Sequence, residues 1–103
     1  MPRTQLRPGM KVKVRAFATL SDLMGHGEVV LEVPDGSSVG FLLAELVKRY
    51  GRALEEALFD ADGHLAGYVK IMVNGRDVDF LSGLDTELRD GDEVFIFPPV
   101  GGG

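Results

Sequence analysis

Val39, Leu42, Leu43, Leu46, Val47 and Tyr50 recur three and four residues apart, with Ser37-Ser38 ahead of them and Gly51 behind. That spacing lines one face of an α-helix, a serine hydroxyl supplies the N-cap acceptor, and the glycine supplies the stop. It is the clearest helical pattern in the chain. An apolar stripe of this length needs a sheet to bury it, which points to an α+β layer rather than a helical bundle.

The flanking sequence supplies the strands. Residues 10 to 17 alternate, with Val12, Val14 and Ala16 on one face and Lys11, Lys13, Arg15 and Phe17 on the other. Residues 28 to 33 place Val29, Leu31 and Val33 opposite Val30 and Glu32, again the period of a half-buried strand. Between these two, residues 18 to 24 suit one or two helical turns closed by Gly25-His26-Gly27, and Pro34-Asp35-Gly36 is a turn by residue chemistry. After the long helix, residues 52 to 58 suit a short second one. Residues 59 to 67 form a polar loop punctuated by glycine. A third strand is expected over 68 to 73, then Asn74-Gly75 as a type I′ turn with a short return over 76 to 79. Residues 80 to 89 read as irregular or a single turn. Val94-Phe95-Ile96-Phe97 is the last strand, too apolar for an edge and so expected inside the sheet beside the first.

Whole-chain properties narrow the function. A chain of 103 residues, 45% hydrophobic, makes one compact domain with no cofactor-sized interior. There is no cysteine, hence no thiolate nucleophile, disulfide or cysteine-based metal site. With no apolar run near the length of a membrane span and no apolar segment in residues 1 to 9, the expected location is the cytoplasm, without membrane contact. A net charge of −5 argues against a nucleic-acid binder. It either complements a basic partner or serves solubility alone.

Candidate chemistry within the domain is sparse. Asp60, Asp62 and Gly63 touch on a calcium loop but lack its spaced oxygen ligands and closing glutamate. His26 and His64 stand apart beside glycines and read as surface residues, so no metal site is expected. Ser21, Ser37, Ser38 and Ser82 fit no nucleophile elbow. Asp85, Glu87, Asp90, Asp92 and Glu93 form an acidic cluster that suits a solvated turn as well as a docking site. Nothing assembles a nucleophile, a base and an oxyanion donor, and an enzyme active site is not expected.

Two features do point outward. In the register above, Arg15, Phe17, Met72, Phe95 and Phe97 share the sheet face away from the helix, an exposed aromatic surface suited to a partner. The alternative is the reversed register, with the helix on that face. The second feature is the sequence after the last strand, Pro98-Pro99-Val100-Gly101-Gly102-Gly103. Two prolines stop the ladder and stiffen the exit. Three glycines without Cβ atoms can lie extended in a narrow cleft, with the α-carboxylate of Gly103 as the reactive group. A frayed end is the bland alternative. The expected division is a flexible arm over 1–9, a domain over 10–100 and an extended glycine tail over 101–103.

Taken with Gly83-Leu84-Asp85-Thr86-Glu87-Leu88-Arg89-Asp90-Gly91-Asp92-Glu93-Val94, that ending closely resembles the MoaD/ThiS family of ubiquitin-like, β-grasp sulfur carriers. Val14-Arg15-Ala16-Phe17-Ala18 matches the usual first strand and Pro34-Asp35-Gly36 the turn before the helix. The stretch Val73-Asn74-Gly75-Arg76-Asp77-Val78-Asp79-Phe80-Leu81-Ser82-Gly83-Leu84 is more like the longer members, a branch with small archaeal-type modifiers and a carrier serving cysteine synthesis. The resemblance implies a mixed sheet of four to five strands on one main helix. It also implies that Gly103 is adenylated by a ubiquitin-activating-type, ATP-dependent enzyme and converted to a thiocarboxylate, no cofactor being bound by the carrier itself. Gly102 and Gly101 are then its slender neighbours. Phe17 and Phe97 match positions that face partners in the molybdopterin-synthase branch, so Phe17, Met72, Phe95, Phe97, Pro98 and Pro99 are the expected contacts. The recipient would be the molybdopterin synthase large subunit or another sulfur-accepting enzyme. The alternatives are conjugation to lysines as a protein modifier, or sulfur supply for cysteine, thiamine or tRNA thiolation.

Overall fold

The computed structural model describes residues 9–98. Residues 1–8 of the expected arm and residues 99–103, which include Pro99 and the whole glycine tail, lie outside the described residues. Strands β1 (Met10–Ala16), β2 (Glu28–Val33), β3 (Lys70–Val73), β4 (Arg76–Asp77) and β5 (Glu93–Phe97) form one sheet in the order β2-β1-β5-β3-β4. β1 and β5 run parallel, and every other neighbouring pair is antiparallel. The helices are α1 (Thr19–Met24), α2 (Val39–Tyr50) and α3 (Arg52–Leu58). This mixed five-stranded α+β arrangement, with the last strand in the middle beside the first, is the β-grasp fold.

The stripe on α2 behaves as its spacing requires. Val39, Leu42, Leu43 and Leu46 are buried, and Val47 and Tyr50 are packed on the rim of the same core. Facing them are Val12 and Val14 of β1, Leu31 and Val33 of β2, Ile71 and Val73 of β3, and Val94 and Ile96 of β5, in one cluster with Leu20, Met24, Leu54 and Leu58 from the shorter helices. Ser38 caps α2 by accepting the Phe41 N–H at 3.1 Å. The segment before β5 anchors the same end: Val39 N–H donates to the Thr86 carbonyl at 2.9 Å and Leu88 N–H to the Ser37 carbonyl at 2.9 Å.

Several element ends differ from the sequence expectation, each for a local reason. β3 starts at Lys70 rather than at 68, because Val69 N–H donates to the Ala66 carbonyl at 3.0 Å and bends residues 66–69 into a turn. Asn74 and Gly75 both take positive φ, 52° and 86°, as the hairpin turn demands. The returning strand β4 then lasts only Arg76–Asp77. The Asp77 carboxylate accepts the Asp79 N–H at 2.9 Å and turns the chain into a single 3₁₀ turn, Val78–Phe80. β1 ends at Ala16, one residue short of Phe17, because Ala18 has φ 54° and ψ −128° and breaks the strand.

Candidate functional site

Side chains on the sheet face away from α2 follow from the pleat. Along β5, Val94 and Ile96 are buried while Phe95 and Phe97 are half-buried on the opposite face. The aligned register sets Arg15 beside Phe95, Lys70 beside Phe97 and Met72 beside Phe95. Phe17, one residue past β1, stacks on Phe97 with ring centroids 4.7 Å apart and planes within 5°. Phe95 meets both rings edge-on, at 6.1 Å from Phe17 and 6.3 Å from Phe97. Arg15 lies over the Phe95 ring at 5.9 Å. Pairs of this kind contribute about 0.5–1.5 kcal/mol beyond their buried area, so the three rings form a preset patch. The structure therefore gathers Phe17, Met72, Phe95 and Phe97 on one face, with α2 on the other. Pro98 follows Phe97 directly and is half-buried. Pro99, Gly101, Gly102 and Gly103 lie outside the described residues.

Charges border the rings in matched pairs. Lys13 Nζ lies 3.6 Å from Glu28 and 3.8 Å from Glu93, and Arg15 Nε lies 3.8 Å from Glu28. Lys11 stands opposite Glu32. Lys70 Nζ reaches Asp77 at 2.9 Å and Asp79 at 3.4 Å. Hydrogen bonding to Asp77 holds the Lys70 ammonium above its usual range, and the same bond holds the Asp77 carboxyl below its own. The four cations Lys11, Lys13, Arg15 and Lys70 thus share this face with Glu28, Glu32, Glu93 and Asp77. The acidic excess of the chain lies elsewhere, which separates the aromatic surface from the basic-partner expectation.

The other sequence candidates have structural employment. Asp90 Oδ1 accepts the Lys11 N–H at 2.8 Å. Asp92 accepts from Asn74 Nδ2 and from Arg89 N–H, both at 2.8 Å, so these members of the acidic cluster brace the turn into β5. His26 donates through Nδ1 to the Glu28 carbonyl at 2.7 Å, which leaves Nε2 to accept from the Tyr50 hydroxyl at 3.3 Å. The fold brings His64 beside Asp60 and Asp62, all three exposed, with ligand atoms within 4.8 Å of one another. Asp60 Oδ1 there already accepts the N–H groups of Asp62 and His64, at 2.9 and 3.1 Å. Ser37 Oγ donates to the Pro34 carbonyl at 2.6 Å, a turn bond and not a nucleophile's setting. A cleft of about 460 Å³ lies on the helical side among Ala44, Val47, Glu55 and Phe59, remote from the rings. Among the described residues no helix is long and apolar enough to cross a membrane. The alternating pattern pointed to the ring patch; Tyr68, expected as the first residue of the third strand, lies exposed in the turn before it, and Phe80 is exposed in the 3₁₀ turn after β4.

A model described as the ThiS family matches residues 14–103. Small archaeal modifier protein 3 of Haloferax volcanii is 38% identical over 98 residues, covering 91% of this chain and 100% of that protein. The sulfur carrier protein CysO of Mycobacterium tuberculosis is 40% identical over 70 residues, 66% of this chain and 74% of that protein. The crystal structure of small archaeal modifier protein 1 of Haloferax volcanii superposes with a TM-score of 0.80 at 32% identity, covering 89% of this chain and 100% of that one. A β-grasp sheet with its last strand central, matched by sequence and structure over nearly its whole length, places the chain in the ThiS family of ubiquitin-like sulfur carriers and modifiers.

Proposed function

We propose that this protein is a sulfur carrier whose Gly103 carboxylate is adenylated and then converted to a thiocarboxylate. The observation that carries the reading is the half-buried Phe17–Phe95–Phe97 patch on the sheet face away from α2, set one residue before Pro98 and the glycine-rich end. A carboxylate is a poor electrophile. Attack of the Gly103 carboxylate on the α-phosphorus of ATP forms an acyl-adenylate and releases pyrophosphate. A hydrosulfide nucleophile then adds at the carbonyl, AMP leaves, and the thiocarboxylate remains. ATP belongs to the adenylating enzyme, and the chain contributes the acyl group and its docking face. Phe17, Met72, Phe95, Phe97, Pro98 and Pro99 make the contacts, while Gly101 and Gly102 thread the cleft.

The recipient we propose is the molybdopterin synthase large subunit, on the resemblance of Phe17 and Phe97 to the partner-facing positions of that branch. A second reading, conjugation of Gly103 to lysines, is favoured by a 38% identical relative named as a modifier protein. Incubation with ATP, sulfide and the adenylating enzyme should raise the intact mass by about 16 Da, one oxygen exchanged for sulfur. Deletion of Gly102-Gly103 should abolish that gain. If the full chain shows no gain, the carrier reading fails. Diglycine remnants on lysines of cellular proteins, with no sulfur transfer to the synthase, would select the modifier reading instead.

A further inference from the structure

The two edges of the sheet are protected unequally. β4 lasts two residues and presents little to pair with, whereas β2 runs six, in unbroken register with β1 and without proline or bulge. A long, regular edge is a template for another strand. The groups it offers follow from the ladder. Ala16 N–H donates to the Gly27 carbonyl at 2.8 Å, and bonded pairs alternate along an antiparallel ladder. Val29, Leu31 and Val33 therefore bond to β1, and Glu28, Val30 and Glu32 turn their N–H and C=O groups outward. His26 Nδ1 takes the Glu28 carbonyl at 2.7 Å. Among the described residues nothing meets the outward groups of Val30 and Glu32.

A cleft of about 290 Å³ opens beside this edge, between β2 and α2. Leu31 and Val33 floor it, and Glu32, Glu45, Lys48 and Arg49 rim it. Lys48 is paired with Glu45 at 3.5 Å. Exposed Arg49 and Glu32 stand in no ion pair among the described residues. On the opposite face of the same strand, Val30 is 53% exposed. The edge thus asks for a different side chain on each face of an added strand.

We propose that an extended segment of a partner protein pairs antiparallel with β2 and lengthens the sheet by one strand. Val30 and Glu32 supply the backbone bonds, and alternate side chains supply the choice of partner. Toward α2 the segment places an aliphatic residue in the cleft with carboxylates beside it for Arg49. On the other face it sets Lys or Arg against Glu32 and an apolar residue against Val30. A second copy of β2 does not meet this demand, since it offers Glu32 only Glu28, Val30 or Glu32 to face. The site uses neither the three rings nor the Gly103 carboxylate.

The test is a titration of the ¹⁵N-labelled full chain with the blocked peptide Ser-Thr-Asp-Lys-Ile-Val-Glu-Thr-Ser, followed by amide shifts and hydrogen exchange. It needs neither ATP nor an adenylating enzyme, so its outcome is independent of the carrier reading. Shifts should centre on β2 and the C-terminal half of α2, with exchange at Val30 and Glu32 slowed. Val30→Pro removes one outward N–H, a change that an edge strand tolerates, and should weaken binding about tenfold. Arg49→Glu, at an exposed helix position, should weaken it by a similar factor, about tenfold. A peptide with Lys in place of its Asp and Glu should then bind Arg49→Glu better than the wild type. No shift at about 1 mM peptide, shifts confined to the ring patch, or equal binding by both variants would overturn the proposal. So would protection of Val30 and Glu32 that grows with protein concentration alone, which would give the edge to a second copy.

Discussion

The two faces of β5 use the same backbone for opposite purposes. Toward α2 it presents Val94 and Ile96, 0% and 1% exposed, branched side chains that fill a close-packed interior. Away from α2 it presents Phe95 and Phe97, larger rings left half-buried and packed mainly on each other and on Phe17. Were burial alone at issue, the larger rings would be expected inside. That they stand outside, at the root of the glycine-rich end, separates an inner face that supplies stability from an outer face that the proposed function uses for docking.

The sharpest test of this contrast substitutes adjacent residues. Ile96→Ala should cost about 2–5 kcal/mol of folding free energy, through lost transfer and a residual cavity, as read from denaturant midpoints. Phe97→Ala should cost folding much less and partner affinity more, about 1–3 kcal/mol for a central interface ring, read from binding isotherms. Equal stability losses for the two, with no change in affinity for Phe97→Ala, would erase the distinction between the faces.

A smaller effect is expected at Ala18. Its φ of 54° with ψ of −128° is a region that residues with a Cβ rarely enter, and such strain costs on the order of 1–3 kcal/mol. Glycine removes the strain and adds roughly 0.5–1 kcal/mol of chain entropy to lose on folding. Ala18→Gly should therefore raise stability by about 1 kcal/mol net, visible as a higher melting temperature. A lower one would mean that Ala18 is not the strained hinge after Phe17.

The smallest effect concerns the Lys70–Asp77 link. The Asp77 carboxyl is held below its ordinary range by Lys70, so its contribution is present above that range and fades as the pH falls through the depressed folded value. Lys70 is raised, so its share persists through neutral pH and is lost only in strong alkali. Asp77→Asn should melt slightly below the wild type at pH 7, and the two curves should converge in acid once the pH has fallen through the depressed Asp77 value. A difference that widens in acid would contradict the assigned pairing.

What the sequence made legible was whatever has a period. The α2 stripe, the alternation in β1 and β2 and the apolar run of β5 located the core, the central last strand and the ring patch. The Asn74-Gly75 pair located the hairpin. Side-chain capture of the backbone, which has no period, was hidden: Asp77 accepting from Asp79 cut β4 to two residues, and the turn at Ala66–Val69 moved the start of β3. Of the two readings the acidic cluster allowed, the turn is the one Asp90 and Asp92 fit, since both serve as turn acceptors.

The parallel pairing of β1 with β5 joins Lys13 to Glu93 and Ala16 to Ile96, strands separated by most of the chain. Closing so large a loop is entropically costly and is repaid only by contacts made after closure, which places this step late on the folding route. The β1–β2 and β3–β4 hairpins close far shorter loops and are expected first. Phe17 comes from one side of the late junction, and Phe95 and Phe97 come from the other. The ring cluster therefore cannot exist in a half-folded chain, and a partner that reads all three rings engages only molecules whose folding is complete.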